Sequence, residues 1–250
     1  MRGRTLLLVC LALLAVVGAA LLLTRSEATP PALAAPQDQP GPVLLVPGYG
    51  GSTVGLEALA QALRAQGRVA TVVPLPGDGT GDLRASADAL DAAAEASGAG
   101  PVDVIGYSAG GLVARLWARD NAAEVRRVVT LGSPHHGTRL ASLGAAYNPG
   151  ACPAACLQMV PGSELLEDLN DGDETPDGPQ WLSLWTTQDQ VVTPPDSARL
   201  DGAVNVALQD LCPGLQLDHG GLPVSPVVTS LVVQALSAED LRAPTACPTS

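Results

Sequence analysis

The 250-residue sequence contains no phenylalanine and no lysine, and aromatic residues make up only 2% of it. A folded core must therefore be built from Ala, Val and Leu rather than from stacked rings. All 13 basic residues are arginines, against 25 acidic ones, for a formal net charge of −12. Such a chain cannot readily assemble the basic face that phosphate binding needs, so nucleic acid is disfavoured as a partner. Arg without Lys, beside abundant Ala, Gly and Pro, reflects GC-rich coding more than a physical need. Five cysteines are too few for a disulfide scaffold but enough for two bridges. Apolar residues are plentiful: 46% are hydrophobic and 15% charged, which excludes a disordered chain. The length allows one α/β domain or two small ones.

The first 34 residues are read apart from the fold. Arg2 and Arg4 form a basic start, and an apolar run extends from Leu6 to Leu23. Ala32-Leu33-Ala34 follows, a small-x-small pattern suited to signal-peptidase cleavage. Residues 1–34 thus read as a signal peptide of a secreted protein. The run is nearly long enough to span a bilayer, so an uncleaved anchor facing outward is the competing reading. Either way the domain lies outside the cytoplasm, where disulfides persist. Cys10 sits inside the run, lacks the small residues of a lipoprotein box, and is lost with the leader. Removing three arginines and Glu27 takes the net charge from −12 to −14.

Residues 35–42, rich in Pro, Ala and Gln, read as a short tether to a domain at 43–250. Short apolar runs at 43–46, 69–73, 102–105, 125–131, 181–187 and 204–208 suit buried strands. Helical spacing alternates with them over 52–66, 82–97, 109–119 and 225–236. This alternation predicts a mostly parallel sheet of about six strands with helices on both faces. Residues 132–178 break it, with little periodicity and many Gly, Pro, Asn and Asp. So long a loop is a sign of function, and its place beyond the third βα unit is where a lid would sit.

Gly106-Tyr107-Ser108-Ala109-Gly110 is a G-x-S-x-G sequence directly between the strand at 102–105 and the helix at 109–119. Strand, turn and helix in that order are what a nucleophile elbow requires. The flanking positions of so tight a turn must be Gly, and the helix dipole favours negative charge developing at the Ser hydroxyl. The bland alternative is a Gly-rich turn with a capping serine. Together with Val43–Gly51 and Thr130-Leu131-Gly132-Ser133-Pro134-His135-His136-Gly137-Thr138, the motif resembles bacterial lipases of the α/β-hydrolase superfamily. The resemblance extends over nearly all of the chain beyond the leader. It implies an α/β-hydrolase fold and hydrolysis of carboxylic esters, acylglycerols especially, through a Ser–Asp–His triad. At about 210 residues, the domain is too small for a large cap.

A serine hydroxyl needs a base, and three histidines exist: His135, His136 and His219. In this fold the chain order is Ser, acid, His. His135 and His136 follow Ser108 too soon to leave room for an acid-bearing strand, so they read as structural and His219 as the base. Asp189 ends a strand between the two points and resembles the family's D-x-V-V-P-type segment, so it reads as the acid. Asp196, Asp201, Asp210 and Asp218 are its competitors. An oxyanion hole needs two backbone N–H donors. Ala109 follows the nucleophile, and the resemblance implies Tyr49, in a loop where Pro47 replaces the His of many members.

Four cysteines outside the leader permit three connectivities. The favoured pairs are Cys152 with Cys156 and Cys212 with Cys247; zinc is disfavoured because no His lies at a ligand spacing. The acidic run at 170–177 offers hard oxygens that can hold a structural calcium ion, although EF-hand spacing is absent. No other cofactor is implied. The expected protein is a monomeric serine ester hydrolase acting on an acyl ester or lipid at a lipid–water interface. An acyltransferase or thioesterase with the same triad, and a catalytically silent binding protein, are the alternatives.

Overall fold

The structure is a computed structural model that describes residues 34–98 and 100–248. The expected signal peptide, Cys10 included, lies outside the described residues but for Ala34. Among the described residues, six strands form one parallel sheet in the order β2-β1-β3-β4-β5-β6. They are β1 (Val43–Val46), β2 (Ala70–Val72), β3 (Val102–Tyr107), β4 (Val125–Leu131), β5 (Gln180–Trp185) and β6 (Val204–Ala207). β1 and β4 are buried along their whole length, as strands covered on both faces must be.

Helices α1 (Val54–Ala65), α2 (Leu83–Ala96) and α3 (Ala109–Asp120) follow the first three strands. α1 turns Leu56, Leu59, Ala60 and Leu63 inward at helical spacing. Asp82 caps α2 by accepting the Arg84 N–H at 2.9 Å. α2 and α3 cover one face of the sheet, and α1 with the last helix, α8 (Pro226–Ala235), covers the other. Three buried tryptophans, Trp117, Trp181 and Trp185, are set among Val, Leu and Ala. No helix among the described residues is long and apolar enough to cross a membrane.

Two expectations need correction. Residues 132–178 are not an irregular loop: they carry α4 (Arg139–Tyr147), α5 (Ala154–Gln158) and α6 (Glu164–Asn170). Leu165, Leu166 and Leu169 of α6 are buried in the core, while α4 buries Ala141 and leaves Leu140, Leu143 and Tyr147 exposed. A helix that turns its large apolar residues outward gives no core-facing stripe to read. A short helix, α7 (Leu208–Leu211), completes the set before α8.

Residues 35–42 are packed rather than a free tether. Ala35 is buried, and the Gln37 side chain donates to the Arg126 carbonyl at 3.1 Å. Arg126, fully buried on β4, donates to both carboxylate oxygens of Asp103 at 2.9 and 2.6 Å. It also reaches the Gln37, Leu236 and Ser237 carbonyls. Arg68 adds a 2.6 Å bond to the same aspartate. One buried ion pair thus fastens residues 35–42 and the C-terminal segment to the sheet.

Candidate active site

The site starts at the end of β3. Ser108 has φ 53° and ψ −126°, and no other described residue except glycine has positive φ. Such a conformation costs about 1–3 kcal/mol and persists only where the surroundings enforce it. Here the Ser108 N–H is held by the Leu131 carbonyl at 2.9 Å. A Cβ on Gly106 would fall 2.5 Å from the Gly110 oxygen, and one on Gly110 would fall 2.2 Å from the Val46 oxygen. Both positions therefore exclude every other residue. The sharp turn sets Ser108 at the N-terminus of α3, where the helix dipole is positive.

His219 lies in the loop before α8, and Asp189 follows β5. His219 Nδ1 is 2.6 Å from Asp189 Oδ2, and His219 Nε2 is 3.0 Å from Ser108 Oγ. Asp189 Oδ1 accepts the N–H groups of Val191 and Val192, both at 2.8 Å, which fixes its carboxylate plane. All three side chains are buried. Their hydrogen bonds are therefore stronger than they would be in water. In this arrangement an imidazole can take the serine proton while the carboxylate stabilises the imidazolium that results.

Tyr107 places its ring 5.2 Å from the His219 ring and donates its hydroxyl to the His219 carbonyl at 3.3 Å. Burial, reinforced by the Asp189 carboxylate, pushes the Tyr107 pKa up to about 12. The loop after β1 runs against the serine, since a Cβ on Gly48 would lie 2.9 Å from Ser108 Cβ. Among the described residues no acceptor takes the N–H of Tyr49 or of Ala109. The Ala109 donor directly follows the serine, and the Tyr49 donor directly follows Gly48.

His135 and His136 lie apart from this group. His135 is fully buried with Nε2 3.0 Å from Thr130 Oγ1. Thr130 donates to Ser183 Oγ, and Ser183 in turn donates to the Ala198 carbonyl. The His135 proton must therefore sit on Nε2. Burial above all, with the Arg115 cation close by, lowers its pKa well below the ordinary value. His136 pairs with Glu174 at 2.8 Å. Among the competing carboxylates, Asp218 accepts the Gly221 N–H at 2.8 Å instead of facing the imidazole.

Cys152, after α4, is bonded to Cys156 within α5, and Cys212 to Cys247, joining the end of α7 to the C-terminal segment. In the acidic run, Glu174 turns inward and Asp173 accepts the Thr175 N–H. No group of three or more His, Cys, Asp or Glu side chains gathers for a metal ion among the described residues.

Three residues of consequence escaped the sequence reading. Gly132, with φ +56°, leaves room for the acid and the base: a Cβ there would lie 3.2 Å from His219 Nδ1 and 3.3 Å from Asp189 Oδ2. Its signal was a glycine directly after a strand. Arg115 on α3 donates to the Leu169 carbonyl at 2.7 Å and to Asn170 Oδ1 at 2.9 Å, tying α6 to the helix that follows Ser108. Burial lowers its pKa to about 10. Thr138 is the third: it ends the Thr130–Thr138 segment, but no local pattern marks what its hydroxyl bonds.

Residues 41–151 match the family model described as the alpha/beta hydrolase fold. No curated protein matches the chain. Among solved structures, lipase B of Aspergillus fumigatus superposes with a TM-score of 0.67 at 20% identity, over 83% of this chain. The chain spans 54% of that protein's length. The mature form of Bacillus licheniformis lipase BlEst2 gives a TM-score of 0.65 at 19% identity, covering 84% of this chain and 95% of that one. MGS-MChE2, an alpha/beta hydrolase enzyme from a lagoon-sediment metagenome at Mar Chica, Morocco, gives 0.57 at 16% identity, covering 78% and 90%. With its parallel six-stranded sheet and no large cap among the described residues, the chain is a protein of the α/β-hydrolase fold.

Proposed function

We propose that the chain is a secreted serine ester hydrolase of lipase type. The observation that carries this reading is the unbroken line of hydrogen bonds from Asp189 through His219 to Ser108 at a strained elbow. Ser108 Oγ attacks the ester carbonyl as its proton passes to His219 Nε2, and Asp189 holds the Nδ1 proton. The oxyanion develops against the Tyr49 and Ala109 N–H groups, each worth about 3 kcal/mol in the transition state. The alcohol leaves with the proton from His219 and an acyl-enzyme remains. Water, deprotonated by the same imidazole, then releases the carboxylic acid.

A lipid substrate is favoured by the surface beside the site. Leu140, Leu143 and Tyr147 of α4 are 51%, 51% and 84% exposed. Leu157 and Val191 are exposed as well. Residues 125–163 contain no Asp or Glu, in a chain that carries 25 acidic residues. An apolar face free of acidic residues, with Arg139 as the exposed cation of α4, suits a lipid–water interface on an otherwise acidic protein. Export is favoured by the two disulfides, which persist in oxidising compartments.

Labelling with an organophosphonate followed by peptide mass spectrometry tests the reading. Covalent modification at Ser108, absent from Ser108→Ala, is expected; undiminished labelling of that variant overturns it. Hydrolysis of p-nitrophenyl esters of increasing chain length, beside an emulsified triglyceride, reads the substrate. A preference for short soluble esters with no gain at the emulsion would exclude the lipase.

A further inference from the structure

Thr138 lies at the end of the Thr130–Thr138 strip, outside the Ser–His–Asp group, and is buried. A threonine hydroxyl can donate one hydrogen bond and accept two. Here it uses all three. It donates to the Val191 carbonyl at 2.6 Å and accepts the Thr193 N–H at 3.1 Å and the Leu140 N–H at 3.3 Å. The last of these caps α4, and the first two grip the loop that follows Asp189. The neighbouring Arg139 N–H adds a 2.8 Å bond to the Thr193 carbonyl. The peptide group joining Val191 to Val192 is shared: its oxygen accepts from Thr138, while its N–H, on Val192, donates to Asp189 Oδ1 at 2.8 Å.

We infer that Thr138 is a positioning residue that holds Asp189 in line with His219 and makes the acid's orientation depend on how α4 is seated. The path is continuous: Thr138 hydroxyl, Val191–Val192 peptide, Asp189 carboxylate, His219 imidazole, Ser108 hydroxyl. A bound peptide group polarises its neighbours in such a chain, so loss at one end weakens the other. Any displacement of α4, whose exposed apolar face flanks this path, is transmitted to the acid. The kinetic consequence rests on the proposed hydrolase reading; the structural one does not.

Thr138→Val keeps the shape and removes all three bonds, Thr138→Ala removes them with less crowding, and Thr138→Ser keeps the hydroxyl. Two readouts are taken on the full chain after a melt confirms folding. The first is the low-field NMR signal of the His219 Nδ1 proton, assigned by its loss in His219→Gln. The second is the split between kcat and KM on a soluble ester. The expected result for Val or Ala is a broadened or shifted low-field signal and a kcat about tenfold lower with KM nearly constant, largely restored by Ser. An unchanged signal in the folded Val and Ala variants, or a Ser variant as impaired as they are, overturns the inference. If the signal responds as expected but the wild type cleaves no ester, the positioning role stands and the hydrolase reading falls.

Discussion

Gly132→Ala probes how tightly the end of β4 is fitted beneath the acid and the base. The added Cβ would lie 2.6 Å from Leu222 Cδ1, 3.2 Å from His219 Nδ1 and 3.3 Å from Asp189 Oδ2. The leucine methyl can rotate away; the other two atoms are the ends of a 2.6 Å hydrogen bond and cannot both yield without lengthening it. Positive φ costs an alanine about 1–2 kcal/mol, and overpacking adds roughly 1–3 kcal/mol. Reduced freedom of the unfolded chain returns about 0.4–1 kcal/mol. The net loss of stability is about 3 kcal/mol, which for a domain of this size lowers Tm by roughly 6–12 °C. Displacement of the imidazole by a few tenths of an ångström should slow acylation about 10- to 100-fold, as misplaced catalytic groups do. Thermal melts and the rate of phosphonate labelling measure both effects. A melt shifted by less than ~2 °C together with a labelling rate within about twofold of wild type would refute the close fit.

Three further outcomes follow from named contacts. Ser108→Gly should abolish ester cleavage yet raise stability by about 1 kcal/mol, because relief of the elbow strain exceeds the added freedom of glycine in the unfolded chain; a less stable variant in urea unfolding argues against strain. His135 has a depressed folded pKa, so its contribution is present above the unfolded value near 6.5 and is lost as pH falls toward the folded one. Stability should therefore decline below pH ~6.5 by up to about 1.4 kcal/mol per pH unit from this group, and His135→Gln should flatten that slope whatever it costs outright. Leu143→Glu places a charge on the exposed apolar face of α4 and should depress emulsion hydrolysis several-fold relative to a soluble short ester; equal loss on both substrates would detach that face from lipid binding.

The fold was legible because its strands are short, mostly apolar runs of three to seven residues separated by helices with one apolar stripe. The three side chains of the candidate site were legible for a different reason: the elbow needs glycine at two positions by steric exclusion, and the remaining order of acid and base follows the topology. What escaped has a physical cause in each case. α4 hides its identity by burying alanine and exposing leucine. Arg126 and Arg127 are buried on β4, where composition alone would place them in solvent; only the structure reveals Asp103 and a ring of carbonyl acceptors waiting for them. Residues 35–42 looked like a linker because proline, alanine and glutamine carry no periodic signal, whereas their hold comes from single hydrogen bonds to Arg126.

The strip from Thr130 to Thr138 gathers several of these devices in nine residues, and each residue type there answers a separate constraint. Gly132 is small so that the imidazole and carboxylate can meet above it. Ser133 packs against Gly111, where a Cβ would fall 2.0 Å from its Oγ and drive α3 away from the strand. His135 is neutral and donates into the buried Thr130–Ser183 pair, and Thr138 closes the strip by bonding the loop after Asp189. Ser108 itself is anchored to the strip through the Leu131 carbonyl, which accepts its N–H at 2.9 Å. The nucleophile, the acid and the exposed helix α4 are therefore all referenced to one stretch of backbone at the end of β4. Among the described residues His219, in the loop before α8, takes no hydrogen bond from the strip, so the Asp189–His219 contact is where a shift of that stretch would register.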